Sequence, residues 1–171
     1  MFEIPADLDP AAVPLAWLLG RWRGEGVGGY PTIEDFRFGQ EVEFGHNGKP
    51  FLTYVSRSWM IEPDGSRGRN LATESGYWRP RPEGTVEVLL SHPTGFVEIW
   101  LGTIDSAKIE LRTDLVARVD SAKPYTAGHR LYGLVEGDLM WAYDMAAMDQ
   151  PLQPHLSARL SRVPDVTPPA E

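Results

Sequence analysis

The sequence predicts an all-β protein: a ten-stranded antiparallel up-and-down β-barrel of the calycin or fatty-acid-binding-protein kind, with a short N-terminal helix. Apolar residues alternate with polar ones along most of the chain, which is the period of a strand that buries one face. Fifteen prolines and 17 glycines, about a fifth of the 171 residues, cut that alternation into short runs that end in turn sequences. Some ten runs at nearly regular spacing, joined by short hairpins, favour an up-and-down barrel, which leaves no exposed edge. A two-sheet sandwich is the weaker alternative.

The helix comes first. Asp9-Pro10 supplies an N-cap and a proline at the first helical position, and Gly20 supplies the stop. Between them Val13, Ala16, Trp17 and Leu19 or Gly20 follow the i, i+3, i+4, i+7 spacing of one apolar face, so an amphipathic helix of two to three turns is expected. From Trp22 to Val27 the period becomes two. Phe36, Phe38, Val42 and Phe44 continue it, with Gly39-Gln40 as an expected bulge or bend. His46-Asn47-Gly48-Lys49 reads as a hairpin turn, because Asn-Gly readily takes positive φ. Further strands are expected over Phe51–Ile61, Asn70–Trp78, Val86–Leu90, Phe96–Ile104, Ile109–Val119, His129–Val135, Leu139–Ala146 and Leu152–Val163. Residues 1–163 thus read as a single domain, and residues 164–171 as a disordered, Pro-rich tail.

Composition excludes several functions. Twenty-four acidic against 16 basic side chains give a net charge of −8, a poor surface for nucleic acid or anionic membranes. The chain has no cysteine, which removes disulfides, thiolate zinc sites, iron–sulfur clusters, a thiol nucleophile and covalent haem attachment. No window approaches 18 apolar residues and the N-terminus lacks a signal-peptide pattern, so a cytoplasmic protein is expected. P-loop, G-x-S-x-G and H-E-x-x-H motifs are absent.

Two features remain. Gly20, Trp22, Gly24 and Gly26 form a G-x-W-x-G-x-G pattern directly after the helix. Alternate glycines strip side chains from one strand face, so a bulky group can approach it or the strand can bend, and Trp22 reads first as a plug at the helix-to-strand corner. Of four histidines, His46, His92 and His129 stand in turn or strand-start contexts and are expected to be solvated. His155 follows Pro154, which restricts the backbone around it and would hold the imidazole rigid at the barrel rim, as a metal or haem ligand requires. Its parity objects: Leu156, Ala158 and Leu160 alternate with His155, Ser157 and Arg159, which puts His155 on the polar face. Either the interior is partly polar, or the strand is irregular at Pro154. The methionines Met140, Met145 and Met148 read as gap fillers.

Four ordered segments carry a more specific resemblance: P-L-A-W-L-L-G-R-W-R-G-E-G at Pro14–Gly26, Y-P-T-I at Tyr30–Ile33, G-K-P-F-L-T-Y at Gly48–Tyr54 and Q-P-L-Q-P-H-L at Gln150–Leu156. With them the chain resembles the nitrobindins, haem-containing ten-stranded barrels, over nearly its whole length. The resemblance implies that His155 is the proximal ligand of a ferric haem b, one per subunit, and that Thr32 packs against or hydrogen-bonds to the cofactor. Gly20, Trp22, Gly24 and Gly26 match the family's Gly-Trp signature. It further implies a peroxynitrite isomerase that forms nitrate and binds nitric oxide at an open distal site, with no nucleic-acid or membrane partner and room for a homodimer. Pro154 departs from the family's pattern beside the ligand, which bears on haem affinity. The alternative is a metal-free carrier of lipid or another small apolar ligand in the same barrel.

Overall fold

Residues 3–164 are described by the computed structural model; the expected disordered tail lies, from Asp165 onward, outside the described residues. Ten strands occur among them: β1 (Gly20–Tyr30), β2 (Ile33–Gly45), β3 (Leu52–Ile61), β4 (Arg67–Arg81), β5 (Thr85–His92), β6 (Phe96–Asp105), β7 (Lys108–Arg118), β8 (Tyr125–Val135), β9 (Asp138–Ala147) and β10 (Gln153–Arg162). Each pairs antiparallel with its sequence neighbours, and β1 closes the ring against β10. The β2–β3 connection turns through Gly48 at φ +76°, the positive φ expected of Asn-Gly. No helix is long and apolar enough to cross a membrane among the described residues.

The N-terminal helix differs from expectation. Pro10–Leu18 is a 3₁₀ helix, closed by i→i−3 bonds from Ala12 to Asp9 (2.8 Å) and from Leu19 to Ala16 (3.0 Å). Its buried residues include Ala12, Leu15 and Leu18, spaced by the three residues per turn of that helix, while Val13 is exposed. Pro14 accounts for the change, since its ring crowds the i−4 carbonyl of an α-helix and it has no N–H to donate. The Asp9 cap is as expected, accepting the Ala11 N–H at 2.8 Å. At the other end Arg162 donates to the carbonyls of Trp17 and Leu19, and Trp22 Nε1 donates to the Leu18 carbonyl at 2.7 Å. Trp22 is wholly buried, the corner plug that the sequence suggested.

The glycines of β1 serve the neighbouring strand. A Cβ on Gly26 would meet the Phe38 ring at 2.5 Å, and one on Gly28 the Phe36 ring at 2.4 Å. The bare face therefore lets two β2 rings lie over β1. The expected bulge at Gly39-Gln40 is not formed: register runs unbroken from Phe38 to Gly45 against β3. Gly39 instead leaves room for the Trp59 indole, 2.3 Å from where its Cβ would be. Of the three methionines, Met145 packs against the core, whereas Met140 and Met148 are exposed.

The interior is partly polar. Arg130 (3% exposed) donates to both carboxylate oxygens of Glu74, at 2.6 and 2.9 Å, and its guanidinium lies over the Trp100 and Tyr143 rings. Tyr54 donates to Glu74 at 2.6 Å. Glu98 is buried as well, accepting from the Tyr125 hydroxyl and lying 2.6 Å from His92 Nε2. His92 is thus not the solvated turn residue expected; it stacks on Phe96 and bridges toward Glu74, 3.7 Å from its Nδ1. A second chain joins Trp141 to Gln40 to Ser56.

Burial pushes the Glu74 carboxyl up, but the Arg130 charge and hydrogen bonds, with His92 and Tyr54, outweigh it and bring it down to about 2. A carboxyl depressed in the fold contributes stability above its unfolded value, and this is lost as pH falls from about 4.5 toward 2. Glu74→Gln should destabilise the barrel by about 3–5 kcal/mol, because it leaves Arg130 buried without a counter-charge. Urea unfolding of both forms at neutral pH and at pH 3 checks this, and the gap between them should narrow in acid.

Candidate functional site

A wide-mouthed cavity of about 1440 Å³ opens at the end opposite the 3₁₀ helix, where β1, β3 and β9 finish and β2, β4 and β10 begin. Its wall includes the apolar side chains of Ile33, Phe36, Met60, Leu71 and Leu156. It is larger than the roughly 300–1,000 Å³ of a drug-sized ligand pocket, which suits a macrocycle. His155 is part of the wall.

The strand that carries His155 is irregular there. On β10, Pro154 faces Asp144 and Leu156 faces Tyr143, two adjacent residues of β9, so His155 is an extra residue. Proline is tolerated at such a bulge because no ladder bond is required of it. The bulge resolves the parity conflict: Leu156, Ala158 and Leu160 keep the inward phase, and His155 is released from the alternation. A partly polar interior is present as well, so both readings that the sequence left open describe the molecule.

The β1–β10 ladder ends at Gly28 opposite Leu156. One step beyond it the Gly29 carbonyl is met by the His155 side chain, with Nδ1 to oxygen at 3.0 Å. A carbonyl only accepts, so Nδ1 carries the hydrogen and Nε2 carries the lone pair. Among the described residues no hydrogen bond to Nε2 is formed. The ring makes T-shaped contacts with two tyrosines, its centroid 5.5 Å from that of Tyr30 and 5.7 Å from that of Tyr143. Burial holds the imidazole below its ordinary value, Gly29 opposes this, and the Arg130 charge adds to the lowering. The neutral ring is therefore the form present at pH 7.

These features fit an axial ligand. The ring is neutral, its second nitrogen is committed to a carbonyl as metal-bound histidines generally are, and the residue belongs to the wall of a wide cavity whose lining mixes apolar side chains with charged ones such as Arg37, Arg69 and Asp144. Among the described residues no group of three or more His, Asp or Glu side chains is placed to hold a bare ion. A lone imidazole suits a metal whose other ligands arrive with it. Thr32 occupies the exposed β1–β2 turn, between Tyr30 and Ile33 of the cavity wall. His129 lies outside the site, between Glu110 (2.9 Å) and Asp144 (3.5 Å).

Residues 11–162 match the family described as the THAP4-like, heme-binding beta-barrel domain. The chain belongs to that family. It is 58% identical over 161 residues to a peroxynitrite isomerase of Nocardioides sp., covering 94% of this chain and 98% of that one. It is 52% identical over 172 residues to a ferric nitrobindin-like protein of Kineococcus radiotolerans, covering 92% and 96%. The crystal structure of Rv2717c from M. tuberculosis superposes with a TM-score of 0.83 at 40% identity, covering 92% of this chain and 99% of that one. The haem-binding barrel inferred from the four segments is thus the family to which the chain is assigned, and its ten antiparallel strands are those expected.

The sequence reading passed over Gly29, Tyr30 and Tyr143 as parts of the site. Tyr30 stood within a quoted segment, but nothing in the sequence distinguished its ring from a wall residue.

Two outcomes are expected of the haem-free protein. Long-range ¹H–¹⁵N correlation at neutral pH should report His155 as the Nδ1–H tautomer, the reverse of the form that predominates in free histidine. Because the ring's value is lowered, protonation should set in only below the ordinary value of about 6.5. Haemin affinity should therefore stay level from pH 8 to about 6.5 and fall below that, as a titration series would show.

Proposed function

We propose that His155 Nε2 is the proximal ligand of one ferric haem b per chain, and that the protein isomerises peroxynitrite to nitrate and binds nitric oxide. The observation that carries this reading is the hydrogen bond from Nδ1 to the Gly29 carbonyl, which leaves Nε2 as the unengaged nitrogen in the cavity wall. The Nocardioides relative named peroxynitrite isomerase supports the activity.

Haem held by His155 would supply Lewis-acid chemistry and an open coordination position for a small ligand. The chain's residues do the rest. His155 offers a neutral donor, and the Gly29 carbonyl fixes its tautomer and raises its basicity. Tyr30 and Tyr143 confine the ring from two sides. Phe36, Met60, Leu71 and Leu156 offer the macrocycle apolar contact in the open cavity. Thr32, on the exposed β1–β2 turn and outside the residues that line the cavity, is assigned a hydroxyl contact to the cofactor on the resemblance alone. No protein acid or base is assigned a proton transfer, since isomerisation of peroxynitrite to nitrate leaves the proton count unchanged.

The carrier reading has less support. Below the cavity the barrel is filled by the Glu74–Arg130 pair, Glu98 and the rings of Trp78, Trp100 and Trp141, so an acyl chain would find no apolar channel there.

Haemin titration of the haem-free protein should give a saturable Soret band with one haemin per chain, and His155→Ala should lose or shift it. Stopped-flow mixing of the loaded protein with peroxynitrite should accelerate its decay with nitrate as product, and loaded His155→Ala should not. Identical spectra for the two proteins would contradict the assignment of His155.

A further inference from the structure

Tyr30 makes contacts that its place in β1 does not explain. β10 lies between β1 and β9 in the barrel, yet the Tyr30 side chain bonds to β9 directly. Its hydroxyl donates toward the carbonyls of Met145 (2.9 Å) and Ala147 (3.2 Å) and accepts the Ala147 N–H at 3.0 Å. Tyr30 lies beyond the end of the β1–β10 ladder, which stops at Gly28 opposite Leu156, and its ring makes a T-shaped contact with the imidazole.

The residues that Tyr30 grips open a strained turn. Met148 and Asp149, directly after Ala147, both have left-handed φ values, +52° and +60°. Two successive non-glycine residues in that region persist only where the surroundings hold them. The turn is held by Met148 N–H on the Pro124 carbonyl (2.8 Å) and Gln150 N–H on the Ala147 carbonyl (2.9 Å), and by the Tyr30 hydroxyl on Ala147. From there the chain passes through Pro151 into β10 and reaches His155. Tyr30 thus touches the imidazole at one end and the start of the segment that delivers it at the other. Its neighbour Gly29 supplies the carbonyl that fixes the tautomer.

We propose that Tyr30 is a positioning residue for the haem-ligating imidazole: its hydroxyl locks the turn leading into β10, and its ring then bounds the His155 side chain so that Nδ1 stays on Gly29. The proposal rests on the assignment of His155 as axial ligand, but its first consequence concerns the imidazole alone and is measurable without haem.

The experiment uses the full chain with Tyr30→Phe, and with Tyr54→Phe as a control that removes another buried hydroxyl, the one on Glu74. Three quantities are read: the His155 ¹⁵N shifts in the haem-free protein, exchange of the Ala147 amide, and the haemin Kd. Tyr30→Phe should move the His155 nitrogens toward a mixture of tautomers, speed exchange at Ala147 and raise the haemin Kd about 10–100-fold, the usual loss when a ligand's outer partner is removed. Tyr54→Phe should do none of these, although both variants lose some thermal stability. Unchanged His155 shifts, or a haemin Kd within about threefold of the parent, would overturn the proposal. Should Tyr30→Phe not fold, 4-fluorophenylalanine at position 30 keeps the ring and replaces the hydroxyl by a group of similar size that cannot donate, and the same shifts decide the matter. If His155→Ala binds haemin as the parent does, the axial assignment fails, and the Tyr30→Phe nitrogen shifts still report whether Tyr30 holds the ring.

Discussion

A closed barrel leaves no strand edge, so most strand carbonyls are taken by the ladder and those beyond its ends are open to side chains. At the mouth of this barrel one such end lies between β1 and β10, where the Gly29 carbonyl receives the His155 side chain in place of a backbone amide. That hydrogen bond decides which imidazole nitrogen is free and, with the flanking tyrosine rings, how the ring is held. The bulge that makes the bond possible also shifts His155 out of the strand's alternation, so a residue of polar parity stands in the cavity wall. Pro154 belongs to the same device. It has no N–H to lose and restricts the backbone just before His155, so the departure from the family's pattern is compatible with a well-held ring.

The rest of the interior bears on this arrangement through charge and packing. A pair such as Glu74 and Arg130 is costly to bury and is kept only with good geometry; here two direct bonds, the Tyr54 hydroxyl and a floor of aromatic rings supply it. Gly128 lets that floor form, since a Cβ there would lie 2.5 Å from the Trp100 ring, 2.7 Å from the Tyr125 hydroxyl and 2.9 Å from the Tyr143 ring. Tyr143 is shared: one environment is Arg130 and Tyr125, the other is His155. Burial lowers the imidazole's proton affinity, the Gly29 hydrogen bond opposes this, and the positive end of the buried pair adds to the lowering.

The ten strands were legible because their alternation and turn residues are local signals. Gly48 took the positive φ that Asn-Gly suggested, and the Trp22 plug followed from the glycines around it. The N-terminal helix was legible but its period was not, because the apolar residues around Pro10–Leu18 satisfy either spacing and only the backbone limits set by Pro14 decide for 3₁₀. Gly39 looked like a bulge, but its lack of a side chain serves Trp59 on the next strand, a partner that no local pattern reveals. His92 was misplaced for a related reason: its sequence neighbours form a turn, while the carboxylates that bury it come from β4 and β6. The candidate site divides the same way. His155 was visible in the segment Gln150–Leu156, but its bulge, Gly29 and the two tyrosines depend on register across three strands.

His155 Nε2 is the nitrogen we propose is presented to iron, with Nδ1 held by Gly29. Crystals of the haemin-loaded protein, measured at the iron absorption edge, test this most directly. The result expected is one anomalous peak per chain at coordination distance from His155 Nε2, with Nδ1 still hydrogen-bonded to the Gly29 carbonyl. A peak away from His155, or iron on Nδ1 with the Gly29 bond broken, would contradict it.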